Sequence, residues 1–220
     1  MSGIVGSKLN IRGSGRVAKL GTDGQVLTSA GAGVSAVYED AAGGGGAWTF
    51  IKSVTASADS SIDFVDGTDD VILDNTYLAY RIMGVNIAGD TDNQKIYIHF
   101  SDDTGVSWDN GDNYQTNIYK VQSNTAYKYN GTSDAFTCDS VGNTAYESVS
   151  FEYTVFDPSI SDDYTHYSFK GVESKPAAST IMSYTGGGMY KSAVAVDGIR
   201  IVAATGNITG KAFLYGLARS

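Results

Sequence analysis

Cysteine is almost absent: Cys138 stands alone in 220 residues. One thiol excludes an intrachain disulfide and any Cys-based zinc site, so Cys138 reads as a loop or half-buried thiol. Charge is scarce too, at 18 % of residues, and its balance is acidic, with a net charge of −9. That balance excludes nucleic acid as the main partner, because phosphate binding needs a basic surface. No apolar run approaches the roughly 20 residues that span a bilayer, and the N-terminus has no apolar core of a signal peptide. No membrane partner is expected, and synthesis in the cytoplasm without classical export is. Few stretches place Leu, Glu, Lys and Gln at helical spacing, which argues against long helices.

What is present suits strands and turns. Hydrophobic residues make up 42 % of the chain, enough for a sizeable core, and 27 Gly accompany 15 Tyr. Abundant Gly, Tyr, Ser and Thr fit short strands joined by tight turns. The length allows one large β domain or two smaller ones. Composition breaks near residue 46. Residues 1–46 are rich in Gly, Ala and Ser, nearly free of aromatics, and end in Ala41-Ala42-Gly43-Gly44-Gly45-Gly46. Four consecutive glycines mark a linker or tight passage. A segment so poor in large side chains cannot bury its own core. It is therefore expected to be an extended arm ordered by a partner or by copies of itself.

Residues 47–220 have a different texture. Strand-like segments are predicted at Trp48–Ser53, Ile62–Val65, Val71–Leu73, Tyr77–Ile87, Lys95–Phe100, Ser148–Phe156, Tyr164–Val172, Ile199–Ala203 and Ala212–Leu217. In Ser148–Phe156 the apolar Val149, Phe151, Tyr153 and Val155 share one face at period two. Such segments recur every ten to twenty residues between Gly, Asn, Asp and Ser. That pattern predicts an all-β fold, an antiparallel β-sandwich, jelly roll or barrel, behind the Gly/Ala-rich N-terminal arm. Residues 104–146 carry the weakest pattern, either a long decorated loop or two poorly patterned strands. No internal repeat is evident.

The chemistry-bearing motifs are few. Ser101-Asp102-Asp103-Thr104-Gly105-Val106-Ser107-Trp108 resembles the Asp-box turn on sialidase propeller blades. That resemblance implies a cluster of arginines for a substrate carboxylate and an activated tyrosine. The chain has only Arg12, Arg16, Arg81, Arg200 and Arg219, and one turn is not a propeller. The segment instead reads as a hairpin turn. Asp102 or Asp103 accepts backbone N–H groups, Gly105 supplies a positive φ, and Trp108 packs over the next strand. Abundant carboxylates alone do not make a glycosidase pair.

Asp109-Asn110-Gly111-Asp112-Asn113 offers oxygens for calcium. It departs from the EF-hand spacing and lacks its Glu, so it reads as a polar loop, and so does Asp66-Gly67-Thr68-Asp69-Asp70. His99 and His166 lie in alternating strands and read as packed or surface residues. No nucleophile elbow is present, and Gly186-Gly187-Gly188 lacks the Lys-Ser/Thr ending of a phosphate loop. The expectation is a non-enzyme with no catalytic residue, no cofactor and no metal. Tyr114, Tyr119, Tyr127 and Tyr129 are candidate ligand contacts, since rings with polar tips suit carbohydrate or protein surfaces.

Leu20-Gly21-Thr22-Asp23-Gly24-Gln25-Val26-Leu27-Thr28-Ser29-Ala30-Gly31-Ala32-Gly33 resembles a segment common in bacteriophage fibre and appendage proteins, where an aromatic closes the unit. Tyr38 stands in that role here, after a longer gap. Gly3 to Gly15 is similar to the N-termini of small virion proteins of marine phages. Val196 to Ile201 and Gly206 to Gly216 resemble the last two strands of phage structural β-sandwiches. The resemblance implies a structural virion protein, a capsid decoration or head-fibre protein and a homotrimer. Residues 1–46 would be its attachment and trimerisation arm and 47–220 an outward sandwich. It implies docking to other capsid or tail proteins through Leu9, Ile11, Arg12, Arg16, Leu20, Gln25, Val26 and Leu27. A tail fibre or receptor-binding protein contacting host surface glycans is the alternative.

Overall fold

The computed structural model describes residues 25–28, 37–40, 48–131, 136–138, 141–175 and 180–219. The chain divides into two compact units, Met1–Gly46 and Ala47–Ser220. In the first, strand β1 (Gln25–Thr28) pairs antiparallel with β2 (Val37–Asp40), and Leu27 lies opposite Tyr38. Gln25, Val26 and Leu27 therefore belong to a strand. Leu9, Ile11, Arg12, Arg16 and Leu20 lie outside the described residues.

The second unit is all-β with antiparallel sheets, an arrangement consistent with a β-sandwich. Its strands are β3 (Trp48–Asp59), β4 (Ser61–Val65), β5 (Tyr77–Gly89), β6 (Ile96–Ser101), β7 (Tyr114–Gln122), β8 (Thr125–Gly131), β9 (Phe136–Thr137), β10 (Ser148–Phe156), β11 (Thr165–Lys175), β12 (Thr180–Tyr190), β13 (Gly198–Ala203) and β14 (Ile208–Ala218). The large sheet runs β3-β14-β5-β10-β11-β12-β7-β8 and the small one β4-β13-β6-β9. The chain alternates between sheets from β3 to β6, and again from β8 to β10 and from β12 to β14. Two hairpin additions, β7-β8 and β11-β12, extend the large sheet well past the small one.

Alternation explains which side chains meet. Ile62 and Phe64 of β4, Ile96, Ile98 and Phe100 of β6, and Ile199 and Ile201 of β13 are buried. They belong to one core with Tyr80, Ile82, Phe151, Tyr153, Tyr167 and Leu214 of the large sheet. Phe100 is the hub. Its ring lies 5.4 to 6.3 Å from those of Tyr114, Tyr153, Tyr167 and Tyr190, mostly edge to face, the arrangement aromatic quadrupoles favour. The phenol of Tyr114 also reaches the sheet backbone, accepting from Phe100 N–H at 2.8 Å and donating to Asp109 C=O at 2.9 Å.

Two segments, Val71–Leu73 and the glycines of β12, depart from the sequence expectation, and for residues 104–146 the structure takes the two-strand alternative. Val71–Leu73 is not a strand. Val71 and Leu73 are buried, but the segment is held by Leu73 N–H donating to Asp66 Oδ1 at 2.8 Å rather than by a ladder. Residues 104–146 contain a regular hairpin, β7-β8, in register from Thr116↔Gly131 to Gln122↔Thr125. Its alternation is blurred because a polar Thr116 takes a core position.

Strand β12 carries Gly186-Gly187-Gly188 in its centre, where glycine normally weakens a strand. Here no other residue fits. A Cβ at Gly188 would lie 2.1 Å from Gln115 O, and one at Gly186 would lie 2.3 Å from Asn117 O. The rings of Tyr167 and Phe169 fill the rest of that space.

Candidate assembly face and ligand cleft

The Asp-box-like turn leaves β6 with its hydrogen bonds fully organised. Asp103 Oδ1 accepts Ser107 N–H at 2.8 Å and Ser101 O–H at 2.9 Å, and Oδ2 accepts Ser107 O–H at 2.6 Å. Ser101 Oγ accepts Gly105 N–H at 2.8 Å. Thr104 and Gly105 have φ of 57° and 79°, which glycine tolerates and a larger residue resists. The bonds from Ser107, then that from Ser101, hold the Asp103 carboxyl below the usual carboxylate range. Asp103 thus supplies the turn's acceptor, while Asp102 is exposed. Burial pushes Asp197, which accepts Thr104 N–H at 2.8 Å, in the opposite direction.

Trp108 covers the guanidinium of Arg200, whose Cζ lies 4.2 Å from the ring centroid. Arg200 is also bidentate to Asp63, at 2.8 and 2.7 Å. The described arginines are spread apart and each has a carboxylate: Arg81 has Glu152, Arg200 has Asp63 and Arg219 has Asp157. They do not converge on one substrate carboxylate. The shallow cleft beside Arg200, lined by Tyr97, His99, Trp108 and Asn110, therefore has its one guanidinium already engaged.

The Asp109 loop closes on itself. Burial alone would raise the Asp109 carboxyl, yet bonds from Asn113, Gly111 N–H and Tyr190 hold it below the usual range. Among the described residues no three His, Cys, Asp or Glu side chains gather in a metal-holding group.

The outer face of the large sheet is the most unusual surface. On β3, Trp48 and Phe50 stand beside Leu217 and Tyr215 of β14. On β5, Met83 lies opposite Phe213 of β14, and Ala79 opposite Phe156 of β10. Phe50, Met83, Val85 and Phe156 are exposed, although side chains of this kind normally face a core. The charged groups among them are linked to one another. Arg81 lies 4.1 Å over the Trp48 ring and bonds Glu152 at 2.8 Å, and Glu152 also takes Lys170 at 2.7 Å. Lys170 and Arg81 hold the Glu152 carboxyl below its ordinary range. The face is largely apolar across four adjacent strands, and its carboxylate, Glu152, is shared by two cations. Sequence reading passed over it, although the nearly unbroken apolar run of Tyr77–Ile87 was its signal.

The four candidate tyrosines separate. Tyr114 is fully buried, so it is a core residue and not a ligand contact; its ring belongs to the Phe100 cluster. Tyr119, Tyr127 and Tyr129 are exposed on the β7-β8 hairpin. Below the hairpin lies a cleft of about 260 Å³ whose lining includes Lys95, Lys120, Tyr127, Lys128 and Tyr129. Its floor is Tyr184, whose hydroxyl donates to the buried Glu173. Burial, reinforced by that carboxylate, pushes the Tyr184 hydroxyl far up. The lysines also escaped sequence reading, since Lys95 and Lys120 are brought together only by the tertiary fold.

No protein-family model matches the chain, and no curated protein or solved structure matches it.

Proposed function

We propose that the chain is a structural virion protein of a bacteriophage, a capsid decoration or head-fibre protein that acts as an assembly of identical copies. Residues 1–46 form the attachment arm, and the sandwich of residues 47–220 is displayed outward. The strand order 3-14-5-10 over 4-13-6-9 is read as a jelly roll, two Greek keys folded together, with β7-β8 and β11-β12 as insertions.

The observation that carries the proposal is the outer face of the large sheet. Contiguous apolar patches beyond a few hundred Å² are rare on monomers and mark interaction surfaces. Here Trp48, Phe50, Met83, Val85, Phe156, Phe213 and Tyr215 share one outward face around the linked Arg81–Glu152–Lys170 group, with Phe50, Met83, Val85 and Phe156 exposed. Two copies with net charge −9 repel one another over most of their surface. They approach most easily where the surface carries no excess of negative charge, as on this face. A closed ring of three copies satisfies the face without leaving it open to fibre growth, and the resemblance of residues 20–33 to phage appendage segments supports the same setting. The native mass of the purified chain, measured by light scattering across a concentration series, tests this: a trimer is expected, and a monomer throughout overturns it.

The second reading, a receptor-binding tail protein that touches host surface glycans, is favoured by the exposed Tyr119, Tyr127 and Tyr129 on one hairpin. Binding of the purified chain to host cells, competed by soluble host polysaccharide, is its test.

A further inference from the structure

We infer that the cleft beneath the β7-β8 hairpin is a binding site for an anionic polysaccharide, one whose sugar units carry carboxylate or sulfate groups. The inference rests on the host-glycan reading and goes further, naming the site and the ligand's charge.

The geometry begins with strand register. Lys120 of β7 pairs with Tyr184 of β12 on one side and Tyr127 of β8 on the other. Side chains at directly paired positions share a face, so Tyr184, Lys120 and Tyr127 form one row. Ile118 and Tyr129 form the next row. The large sheet has more strands than the small one, and among the described residues no strand of the small sheet covers Tyr127 and Tyr129 on this inward face. Tyr127 and Tyr129 are 47 % and 56 % exposed. The Lys120 ammonium sits 5.1 Å above the Tyr127 ring, which keeps the lysine at the cleft and the phenol ring upright. Lys95, from the segment before β6, adds a second ammonium to the lining, Lys128 borders the cleft from the strand's other face, and among the described residues no carboxylate lines it.

Two of the chain's ten lysines, Lys95 and Lys120, thus meet on one small surface of a protein with 24 acidic residues. Aromatic rings with polar tips offer apolar faces to sugar C–H groups and hydroxyls to sugar oxygens. Ammonium groups bind carboxylate or sulfate by charge-assisted hydrogen bonds. A single-stranded nucleic acid also stacks on aromatics, but it needs a basic groove that tracks the backbone. Two lysines on a chain of charge −9 do not provide one.

The test uses the full chain and its Lys95→Gln, Lys120→Gln and Tyr129→Ala variants, titrated by calorimetry. The probes are polygalacturonate, dextran sulfate, neutral dextran and a thymidine oligonucleotide, with circular dichroism and light scattering as controls for fold and assembly. Wild type is expected to bind one or both anionic polymers, more weakly as salt rises because exposed charges are screened. It is expected to ignore neutral dextran. Each lysine variant is expected to weaken binding by about tenfold, the scale of one charge-assisted bond, with fold and assembly unchanged. Preference for polygalacturonate assigns the cleft to carboxylated sugars, and preference for dextran sulfate assigns it to sulfated ones. Anionic binding untouched by all three variants overturns this site and leaves the host-glycan reading standing. Binding to neutral dextran alone overturns the anionic assignment. Binding to the oligonucleotide alone overturns the sugar assignment. Failure to bind any of the four, with host-cell binding retained, overturns the inference; loss of both overturns the glycan reading as well.

Discussion

Replacing Phe50 with Asp separates assembly from folding. Phe50 keeps 53 % of its surface in water within one protomer. A phenylalanine presents roughly 200 Å², so covering the exposed part removes about 100 Å² from water. At about 25 cal/mol per Å² that burial stabilises the interface by about 2.5 kcal/mol per copy. An aspartate forfeits this gain and adds a charge that must be desolvated, so association should weaken by at least about sixtyfold for each Phe50 covered.

The protomer itself should lose little. The ring's one aromatic partner within the chain is Tyr215, edge-on at 5.7 Å, a pair worth about 1 kcal/mol. The assay is light scattering after size-exclusion chromatography over a hundredfold range of concentration, alongside a urea melt of each protein. The expected outcome is a trimeric wild type and a monomeric F50D of nearly equal unfolding midpoint under dissociating conditions. An F50D protein with the mass of wild type would refute the assignment of this face to assembly.

Other expectations concern the scaffold. Gly188→Ala places a Cβ 2.1 Å from Gln115 O, forcing β12 and β7 apart; a loss of about 1–3 kcal/mol in a denaturant titration is expected, with the hairpin amides exchanging fastest. Asp103→Ala removes the acceptor of the β6 turn. Because the folded pKa of Asp103 is depressed, its contribution is complete above the ordinary carboxylate range and is lost as pH falls through the lowered value. The melting-temperature gap between D103A and wild type should therefore be full at neutral pH and close in acid; a gap that widens in acid would contradict this. Arg200→Lys keeps the charge but not the two-pronged bond to Asp63 or the flat contact with Trp108. A loss of about 1 kcal/mol by thermal melt is expected, and an unchanged melt would show the sandwich to be idle.

Much of the sandwich was legible along the chain. Val149, Phe151, Tyr153 and Val155 announce a strand with one buried face, and β10 buries all four. Ile62 with Phe64, and Ile96 with Ile98 and Phe100, do the same in the small sheet. The turn around Asp103 was legible because its acceptor, its glycine and its tryptophan lie within a few residues. The hairpin of residues 114–131 was not, since Thr116 interrupts the apolar face. Nor was β12, whose glycines look like a loop until the rings of Tyr167 and Phe169 and the β7 carbonyls are seen to occupy their Cβ positions.

By itself the sequence determined local matters: where strands run, which side chains share a face, and where the Asp103 turn falls. All of these depend on period two and on bonds between near neighbours. Tertiary structure alone decided which faces are covered. Tyr114 and Tyr129 belong to one hairpin, yet one is fully buried and the other 56 % exposed. Strand β7 begins over the small sheet, and β8 lies beyond its edge. Likewise β5 is apolar on both sides, and only the placement of β4, β13 and β6 determines that Ile82 is core while Met83 faces out. Coverage depends on pairings between residues far apart in the chain, and no local pattern encodes them.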